Sequence, residues 1–288
     1  MPDNLKYLLK RYNIKPSKHL GQNFLTDKSA LNKIISAADL SSDDVVLEVG
    51  PGLGVLTLEL AKRAKKVIAV EKDRKMTEIL QEILVENKID NVEVIEGDIL
   101  KLLTYNFQLL NKLLITNYQS QNYKLVANIP YYLTSPLIRK FLETENPPSL
   151  IVLLIQKEVA QRICAKPSRM SLLSVATQFY AEPKIISYVS RKSFYPQPKV
   201  DSAIIRISPR AKGTKSLERD LVPEFFKVVK TGFAHPRKQL INNLSTGLNL
   251  SRENAKESLL KSGLKPTTRP SELSVDKWVE LAWSIWGK

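Results

Sequence analysis

The sequence predicts an α/β protein in which a mostly parallel sheet is followed by a small, all-helical C-terminal domain. Short apolar, β-branched runs alternate with helical stretches over roughly the first half of the chain. The run at residues 150–155 is apolar throughout, which is typical of a strand covered on both faces. After residue 210 only helical patterns follow, separated by glycine and proline. Alternation of strand and helix patterns, as in the first half of the chain, gives parallel strands with helices on both faces of the sheet.

Five strands are predicted in the first part of the chain, each from a run of β-branched or apolar residues. They cover residues 45–49, 67–70, 92–95, 124–127 and 150–155, with helices expected at 55–64 and 73–88. Ligands of such sheets bind beyond the carboxyl ends of the strands. The polar residues that follow these strands are therefore the candidate site.

The C-terminal part of the chain is predicted to be helical at about 221–233, 237–244, 252–261 and 271–286. Residues 212–215 have the composition of a linker. We therefore expect one domain at 1–210, with a basic N-terminal segment at 1–27, and a helical domain at 211–288.

The charge of the chain indicates an anionic partner. Lys and Arg number 44 against 29 Asp and Glu, a net charge of +15. Nucleic acid is the commonest partner of so basic a protein, and an anionic membrane surface is the rival. The apolar runs fall far short of the ~20 residues that span a bilayer, and the N-terminus lacks a secretory pattern, so we expect a cytoplasmic protein. One cysteine and two histidines exclude an intrachain disulfide and a Cys/His zinc site, and no metal is expected.

A glycine-rich turn follows the first predicted strand. Residues 48–54 read Glu-Val-Gly-Pro-Gly-Leu-Gly and open a helix. The dinucleotide fingerprint would need a further glycine where Val55 and Thr57 stand. With an acid two residues before the first glycine, the turn instead resembles motif I of S-adenosylmethionine (SAM) methyltransferases. A purely structural strand-to-helix turn would also explain the glycines.

Acids follow the next two strands. Glu71 ends the second strand, roughly 20 residues beyond the glycines, where it can accept hydrogen bonds from both hydroxyls of a ribose. Asp98 ends the third, where it can accept from an adenine amine while Ile99 packs beside the ring. One such acid alone is most simply a solvated charge. Three suitable strand ends in succession favour a cofactor site.

Residues 128–131, Asn-Ile-Pro-Tyr, match the motif of enzymes that methylate exocyclic amino groups of nucleobases. Adenine N6 is a poor nucleophile because its lone pair is delocalised into the ring. The side-chain oxygen of Asn128 and the carbonyl of Ile129 can accept both N6 hydrogens, so that the lone pair points at the methyl group. Tyr131 can stack on the base, for roughly 1–3 kcal/mol. Positioning, without a metal, is then the main catalytic contribution.

With these motifs in view, the chain resembles the bacterial small-subunit (16S) rRNA adenine N6-dimethyltransferase family over nearly its full length. The segments that carry the resemblance are residues 18–25 (KHLGQNFL), 128–131 (NIPY), 156–162 (QKEVAQR), 194–202 (FYPQPKVDS), 233–240 (FAHPRKQL) and 269–274 (RPSELS). The resemblance implies a Rossmann-like, SAM-dependent methyltransferase sheet as the first domain. It also implies transfer of methyl groups to N6 of two adjacent adenosines in the 3′-terminal hairpin of 16S rRNA during small-subunit assembly.

The resemblance also implies roles for individual residues. The SAM contacts would be Asn23, Leu25, Gly50, Glu71, Asp98 and Asn128. Asn128 and Tyr131 would also hold the target adenine, with Phe194 stacking on its other face. Apart from the resemblance, an aromatic residue at position 194 is more simply explained as a core anchor.

A basic stretch supports contact with RNA. Residues 184–238 contain 13 Lys or Arg against four acids. Lys199, Arg237 and Lys238 are the candidate RNA-binding residues, and we expect Arg237 and Lys238 to begin a helix. Binding through phosphates should depend strongly on salt. The expected partner is 16S rRNA in the small ribosomal subunit or its precursor, bound by a monomer.

Two alternatives stay open. One is a 23S rRNA adenine N6-methyltransferase of the macrolide-resistance type, which shares motif I and the Asn-x-Pro-Tyr turn. The other is a non-catalytic ribosome-assembly or transcription factor on the same scaffold. The runs at 199–202 and 269–274 resemble the small-subunit family better, and the intact motif residues argue against loss of catalysis.

Overall fold

The computed structural model describes residues 3–17, 19–105, 123–210 and 221–287. These residues form two compact units. The first unit is Met1–Ala160 with Pro183–Pro209, and the second is Gln161–Glu182 with Arg210–Lys288. The predicted linker at 212–215 and most of the segment between the third and fourth predicted strands lie outside the described residues.

The first unit contains the sheet. In chain order its strands are β1 (Phe24–Leu25), β2 (Val45–Val49), β3 (Lys66–Glu71), β4 (Val92–Glu96), β5 (Tyr123–Asn128), β6 (Leu150–Gln156), β7 (Ala181–Val189), β8 (Phe194–Tyr195) and β9 (Ser202–Pro209). Within the described part of the chain, seven of them form one sheet in the order β4-β3-β2-β5-β6-β9-β7. Neighbours from β4 to β6 are parallel, and β9 runs antiparallel to β6. The five predicted strands are all present, and β7 and β9 extend the sheet beyond them.

Two strands stand apart from this sheet. β1 and β8 pair with each other in antiparallel register, so that Phe24 lies opposite Tyr195 and Leu25 opposite Phe194. The hydrogen bond from the Thr26 amide to the Ser193 carbonyl, 2.8 Å long, continues the pairing. The N-terminal segment is thereby attached to the segment that precedes β9.

Helices cover the sheet and connect its strands. They are α1 (Asp3–Arg11), α2 (Lys28–Ala38), α3 (Thr57–Ala61), α4 (Arg74–Glu86), α5 (Ile99–Tyr105), α6 (Thr134–Glu143) and α7 (Lys157–Ile163). The carboxylates of Asp27 and Asp73 cap the first turns of α2 and α4 by accepting from backbone amides. Residues of β2 are buried throughout, as expected for a central strand covered by helices on both faces.

The second unit is helical. Its helices are α8 (Leu172–Tyr180), α9 (Val222–Gly232), α10 (Leu240–Gly247), α11 (Arg252–Lys261) and α12 (Val275–Trp286). Trp278 and Phe225 are fully buried in its core, and the rings of Phe225 and Phe179 stack with centroids 4.4 Å apart. The predicted α/β sheet and helical C-terminal region are therefore both present.

The boundary between the units differs from the one expected at 210/211. The second unit begins at Arg210 in this part of the chain, but it also includes Gln161–Glu182, which we expected in the sheet domain. The reason is packing, because α8 places Val175 and Phe179 in the same apolar cluster as Phe225. Those contacts join residues far apart in the sequence.

Candidate active site

The glycine turn after β2 has a backbone that requires glycine. The φ values of Gly50, Gly52 and Gly54 are +68°, +56° and +78°. Residues that carry a Cβ atom are strained in this region of φ, whereas glycine is not. A Cβ atom on Gly52 would lie 3.2 Å from Cε1 of Phe24. The turn is fixed to the sheet by the hydrogen bond from the Gly50 amide to the Val70 carbonyl, 2.9 Å long. Gly50 and Gly52 line a pocket, so a ligand there can approach their backbone with no Cβ atom in the way.

One pocket lies at this edge of the sheet and collects the predicted cofactor and substrate residues. Its lining includes Asn23, Leu25, Gly50, Glu71, Asp98, Asn128, Tyr131 and Phe194. The topology explains the grouping, because β4, β3, β2 and β5 are consecutive neighbours in the sheet. Their carboxyl ends meet at the same edge. The predicted RNA-binding residues Lys199, Arg237 and Lys238 are not part of this lining.

Glu71, at the end of β3, is held by two backbone amides. Its Oε2 accepts from the Gly52 amide at 3.1 Å and its Oε1 from the Asp73 amide at 2.9 Å. Burial raises the pKa of this carboxyl, and the amides of Asp73, Gly52 and Lys72 oppose that rise. Each carboxylate oxygen has two lone pairs and can accept more than one hydrogen bond, so the carboxylate suits a pair of neighbouring hydroxyls.

Asp98 pairs with a lysine that the sequence did not single out. Its Oδ2 lies 2.9 Å from Nζ of Lys72, and its Oδ1 accepts from the Leu100 amide at 3.0 Å. Burial is the largest single effect and works against ionisation of Asp98, but the hydrogen bonds from Lys72 and from the Leu100 and Lys101 amides, together with the charge of Lys72, hold its pKa below the ordinary value. Asp98 is therefore a charged acceptor at the rim of the pocket.

Glu48 is the buried acid of the glycine motif. Its residue surface is 1% exposed, and its Oε2 has no hydrogen-bond partner in the described part of the chain. Burial raises its pKa to about 8, and the negative charge of Glu71 adds to the rise. A carboxyl group that borders a ligand pocket is thus kept neutral near pH 7.

The Asn-Ile-Pro-Tyr turn follows β5 directly. Nδ2 of Asn128 donates to the Asn23 carbonyl at 3.3 Å, which leaves its side-chain oxygen to accept from a ligand. Pro130 has φ −53° and ψ 134° and leads into a short 3-10 turn. The hydroxyl of Tyr131 lies 2.9 Å from Oγ of Ser202, and burial raises its pKa. The turn therefore places an amide oxygen and a tethered aromatic ring side by side.

Phe194 fits both interpretations offered for it. It is 5% exposed and belongs to an apolar cluster with Leu25, Val189 and Ile204. It also borders the pocket. Its neighbour Tyr195 is 43% exposed. Phe194 is thus a packed residue that also borders the pocket.

The basic candidates lie on exposed segments. Lys199 is in the segment between β8 and β9, where its carbonyl accepts from Nη1 of Arg191 at 3.3 Å. Arg237 and Lys238 lie in the turn between α9 and α10. The expectation that they begin a helix is wrong, because α10 begins at Leu240. Both side chains are exposed and so remain free to meet solvent or a polyanion.

The family model described as ribosomal RNA adenine dimethylase matches residues 13–285. The chain belongs to the ribosomal RNA adenine dimethylase family. This finding confirms the predicted family and enzyme class. Among the described residues of this dimethylase, no helix is long and apolar enough to cross a bilayer, and no group of three or more metal-binding side chains is present.

Curated relatives share this assignment. The dimethylase is 42% identical over 274 residues to ribosomal RNA small subunit methyltransferase A of Dehalococcoides mccartyi, covering 95% of this chain and 89% of the relative. It is 41% identical over 284 residues to the protein of the same name from Alkaliphilus oremlandii, covering 98% and 96%.

Solved structures with the same fold include two rRNA or adenosine methyltransferases. A dimethyladenosine transferase from Plasmodium falciparum has a TM-score of 0.71 and 28% identity, covering 90% of this chain and 95% of that one. The 23S rRNA methyltransferase ErmE has a TM-score of 0.69 and 28% identity, covering 91% and 99%. The predicted methyltransferase fold is therefore confirmed for this dimethylase.

The structure also brings forward residues that sequence reasoning did not assign. Gln22 and Lys72 both line the pocket and both bond to acids near it. Gln22 lies inside the N-terminal motif at 18–25, which was a usable signal. Nothing in the sequence identifies Lys72, since a lysine after a strand is most simply a solvated charge.

Proposed function

We propose that this ribosomal RNA adenine dimethylase transfers methyl groups from SAM to N6 of two adjacent adenosines in the 3′-terminal hairpin of 16S rRNA. The observation that carries the proposal is that Glu71, Asp98 and Asn128, which lie at the carboxyl ends of β3, β4 and β5, all line one pocket. The first two supply acceptors for an adenosyl group, and the third supplies an acceptor for an amine. A donor and an amine acceptor can thus share this pocket.

The residues of the pocket fit SAM. Glu71 offers two oriented oxygens to a ribose, Asp98 offers a charged oxygen to an adenine amine, and the glycine turn has no side chain in the way. Asn23 and Leu25 close the pocket from the N-terminal segment. When bound, SAM supplies a methyl group activated by its sulfonium. The buried Glu48 carboxyl has one oxygen unpaired, and a cofactor that carries positive charge would favour its ionised form.

The chain's own contribution to the reaction is to position the amine. The side-chain oxygen of Asn128 and the carbonyl of Ile129 accept the two N6 hydrogens and turn the nitrogen lone pair toward the donor. Tyr131 and Phe194 hold the base from its two faces, which requires an adenine flipped out of its stack. Pro130 fixes the turn between them. Orientation of two bound reactants is an established source of rate enhancement.

The RNA is held by basic side chains outside the pocket. Lys199, Arg237 and Lys238 are exposed, and on this proposal they bind backbone phosphates. Counterion release makes such binding salt dependent. Action as a monomer in the cytoplasm stays a prediction.

The small-subunit substrate is favoured by sequence rather than by fold. The TM-scores of the dimethyladenosine transferase, 0.71, and of the 23S rRNA methyltransferase, 0.69, are nearly equal. The relatives at 41% and 42% identity, however, bear the small-subunit name. A 23S rRNA substrate is the second candidate, because the ErmE structure covers 91% of this chain.

The experiment uses tritiated SAM with 30S and 50S subunits from cells that lack the respective modifications. Label in 16S rRNA, recovered as N6,N6-dimethyladenosine after digestion, is the expected result. Label in 23S rRNA alone would establish the second candidate. Absence of label from both, with RNA still bound, would refute catalysis and leave a non-catalytic RNA-binding scaffold.

A further inference from the structure

A glutamine of the N-terminal segment makes a side-chain hydrogen bond to the turn that follows β3. Nε2 of Gln22 donates to Oδ2 of Asp73 at 2.9 Å, across 51 residues of sequence. The other atom of the same amide, Oε1, accepts from the Ser17 amide at 2.8 Å. Both ends of the Gln22 amide are therefore used, which fixes its orientation between the two segments.

Three of the hydrogen bonds of Asp73 connect it to the N-terminal segment, to α4 and to Glu71. Its Oδ2 accepts from Gln22, its Oδ1 accepts from the Lys75 amide at 3.0 Å, and its own amide donates to Oε1 of Glu71 at 2.9 Å. The second contact caps α4, so the Asp73 side chain is held from the helix as well. A side chain fixed on both oxygens restrains the backbone of its own residue, including the amide that reaches Glu71.

A continuous set of hydrogen bonds therefore runs from Gln22 through Asp73 to Glu71 and on to the Gly52 amide. We infer that Gln22 is a positioning residue for the cofactor: it holds Asp73 so that the Asp73 amide orients the Glu71 carboxylate toward the ribose. The inference rests on the proposed function, because Glu71 accepts hydrogen bonds from a ribose only when an adenosyl cofactor occupies the pocket. The contact of the N-terminal segment with Asp73 then contributes to recognition of the ribose.

This role predicts a loss of ribose recognition, which a merely structural role would not produce. If Gln22 only stabilised the N-terminal segment, its removal would lower the affinity for every ligand of the pocket by the same factor. If Gln22 acts through Glu71, its removal lowers the affinity for ligands with both ribose hydroxyls more than the affinity for ligands that lack one. The ratio of two dissociation constants therefore separates the two roles.

The test measures, by calorimetry on the full chain, the affinity for S-adenosylhomocysteine and for its 2′-deoxyribose analogue. The wild-type protein should prefer the ribose form by about tenfold or more, as expected for a hydrogen bond to a charged acceptor. Gln22→Ala should raise the dissociation constant of S-adenosylhomocysteine by about tenfold. The ratio of the two dissociation constants should then be close to one. An unchanged preference in this variant would overturn the inference.

A second pair of variants tests the contact itself. Gln22→Glu sets a carboxylate against that of Asp73 and should weaken binding at least as much as Gln22→Ala. Adding Asp73→Asn should restore both affinity and preference, because the new amide can donate to the introduced carboxylate and asparagine still caps a helix. Failure of the folded double variant to recover the preference would contradict the proposed route through Asp73.

The matched control is Arg11→Gln. Arg11 also joins the N-terminal segment to α4, through its ion pair with Glu86, but it has no bond to Glu71. This variant should keep the wild-type ribose preference, and a loss equal to that of Gln22→Ala would overturn the inference. A wild-type protein that binds no S-adenosylhomocysteine would refute SAM as the cofactor, and with it both proposals.

Discussion

Replacing Glu48 with glutamine should make the empty protein more stable in neutral and alkaline solution. The Glu48 carboxyl is fully enclosed, and one of its oxygens has no partner in the described part of the chain. Ionising such a group without a cation beside it is costly. Glutamine keeps the shape of the protonated side chain and cannot ionise. The substitution therefore removes a cost that appears only as the pH rises.

The magnitude follows from the raised pKa. Burial moves the pKa of Glu48 from an ordinary value of 4.5 to about 8. Between these two values the folded protein binds a proton that the unfolded chain has released, so the free energy of unfolding falls as the pH rises. The fall is ~1.4 kcal/mol per pH unit and about 5 kcal/mol in total, and it ends above pH 8. The variant should lack this decrease.

The assay is urea unfolding of both proteins, without cofactor, at intervals from pH 4.5 to 9. The two free energies of unfolding should be similar at the acid end and should diverge to about 5 kcal/mol near pH 8, with the variant more stable. Glu257→Gln is the control, because that exposed carboxyl is paired with Lys261 and its pKa is lowered. Identical pH profiles for wild type and Glu48→Gln would refute the assignment of Glu48 as a neutral buried acid.

Further predictions concern catalysis, cofactor binding, stability and RNA. Asn128→Ala should abolish methyl transfer while RNA binding in a filter assay stays near wild type, since it removes an N6 acceptor and no positive charge; loss of RNA binding would contradict its role. Glu71→Ala should weaken S-adenosylhomocysteine binding by the worth of two hydrogen bonds, each about 0.5–1.5 kcal/mol, and unchanged calorimetric affinity would place the ribose elsewhere. Phe225→Ala should lower the free energy of unfolding by about 3–5 kcal/mol, because it leaves a cavity in the helical core. The loss should appear as a lower melting temperature, and a loss below about 1 kcal/mol would disprove that packing role. Arg237→Gln and Lys238→Gln should each reduce the slope of log affinity against log salt by about one, and an unaltered slope would remove that residue from the RNA contact.

The central strands and the pocket were predictable because their signals are local. β2 matches its predicted bounds, since a buried parallel strand reads as one β-branched run. The residues that line the pocket could be predicted because the carboxyl ends of parallel strands meet at one edge of the sheet. Glu71 and Asn128 follow their strands in the sequence and also lie together in the pocket.

What could not be predicted depends on partners distant in the sequence. α10 begins at Leu240 rather than at Arg237, and the Leu240 amide donates to the carbonyl of Thr268, 2.8 Å away. β7 contains Pro183, and the residues between its two ends alternate between exposed and partly buried, so its membership of the sheet is fixed by its pairing with β9 and not by a buried apolar run. The bond from Gln22 to Asp73 is of the same kind.

The short pairing of β1 with β8 constrains how this chain can change in evolution. Leu25 lies opposite Phe194, and Phe24 opposite Tyr195, in a ladder that joins segments from the two ends of the first unit. A shift of one residue in either strand reverses which side chains face each side. Insertion of a single residue near position 194 would exchange buried Phe194 for the exposed Tyr195, and an insertion near position 24 would change which residue of β1 lies opposite Phe194. Chain length should therefore be preserved at both places together, even where the intervening loops grow or shrink.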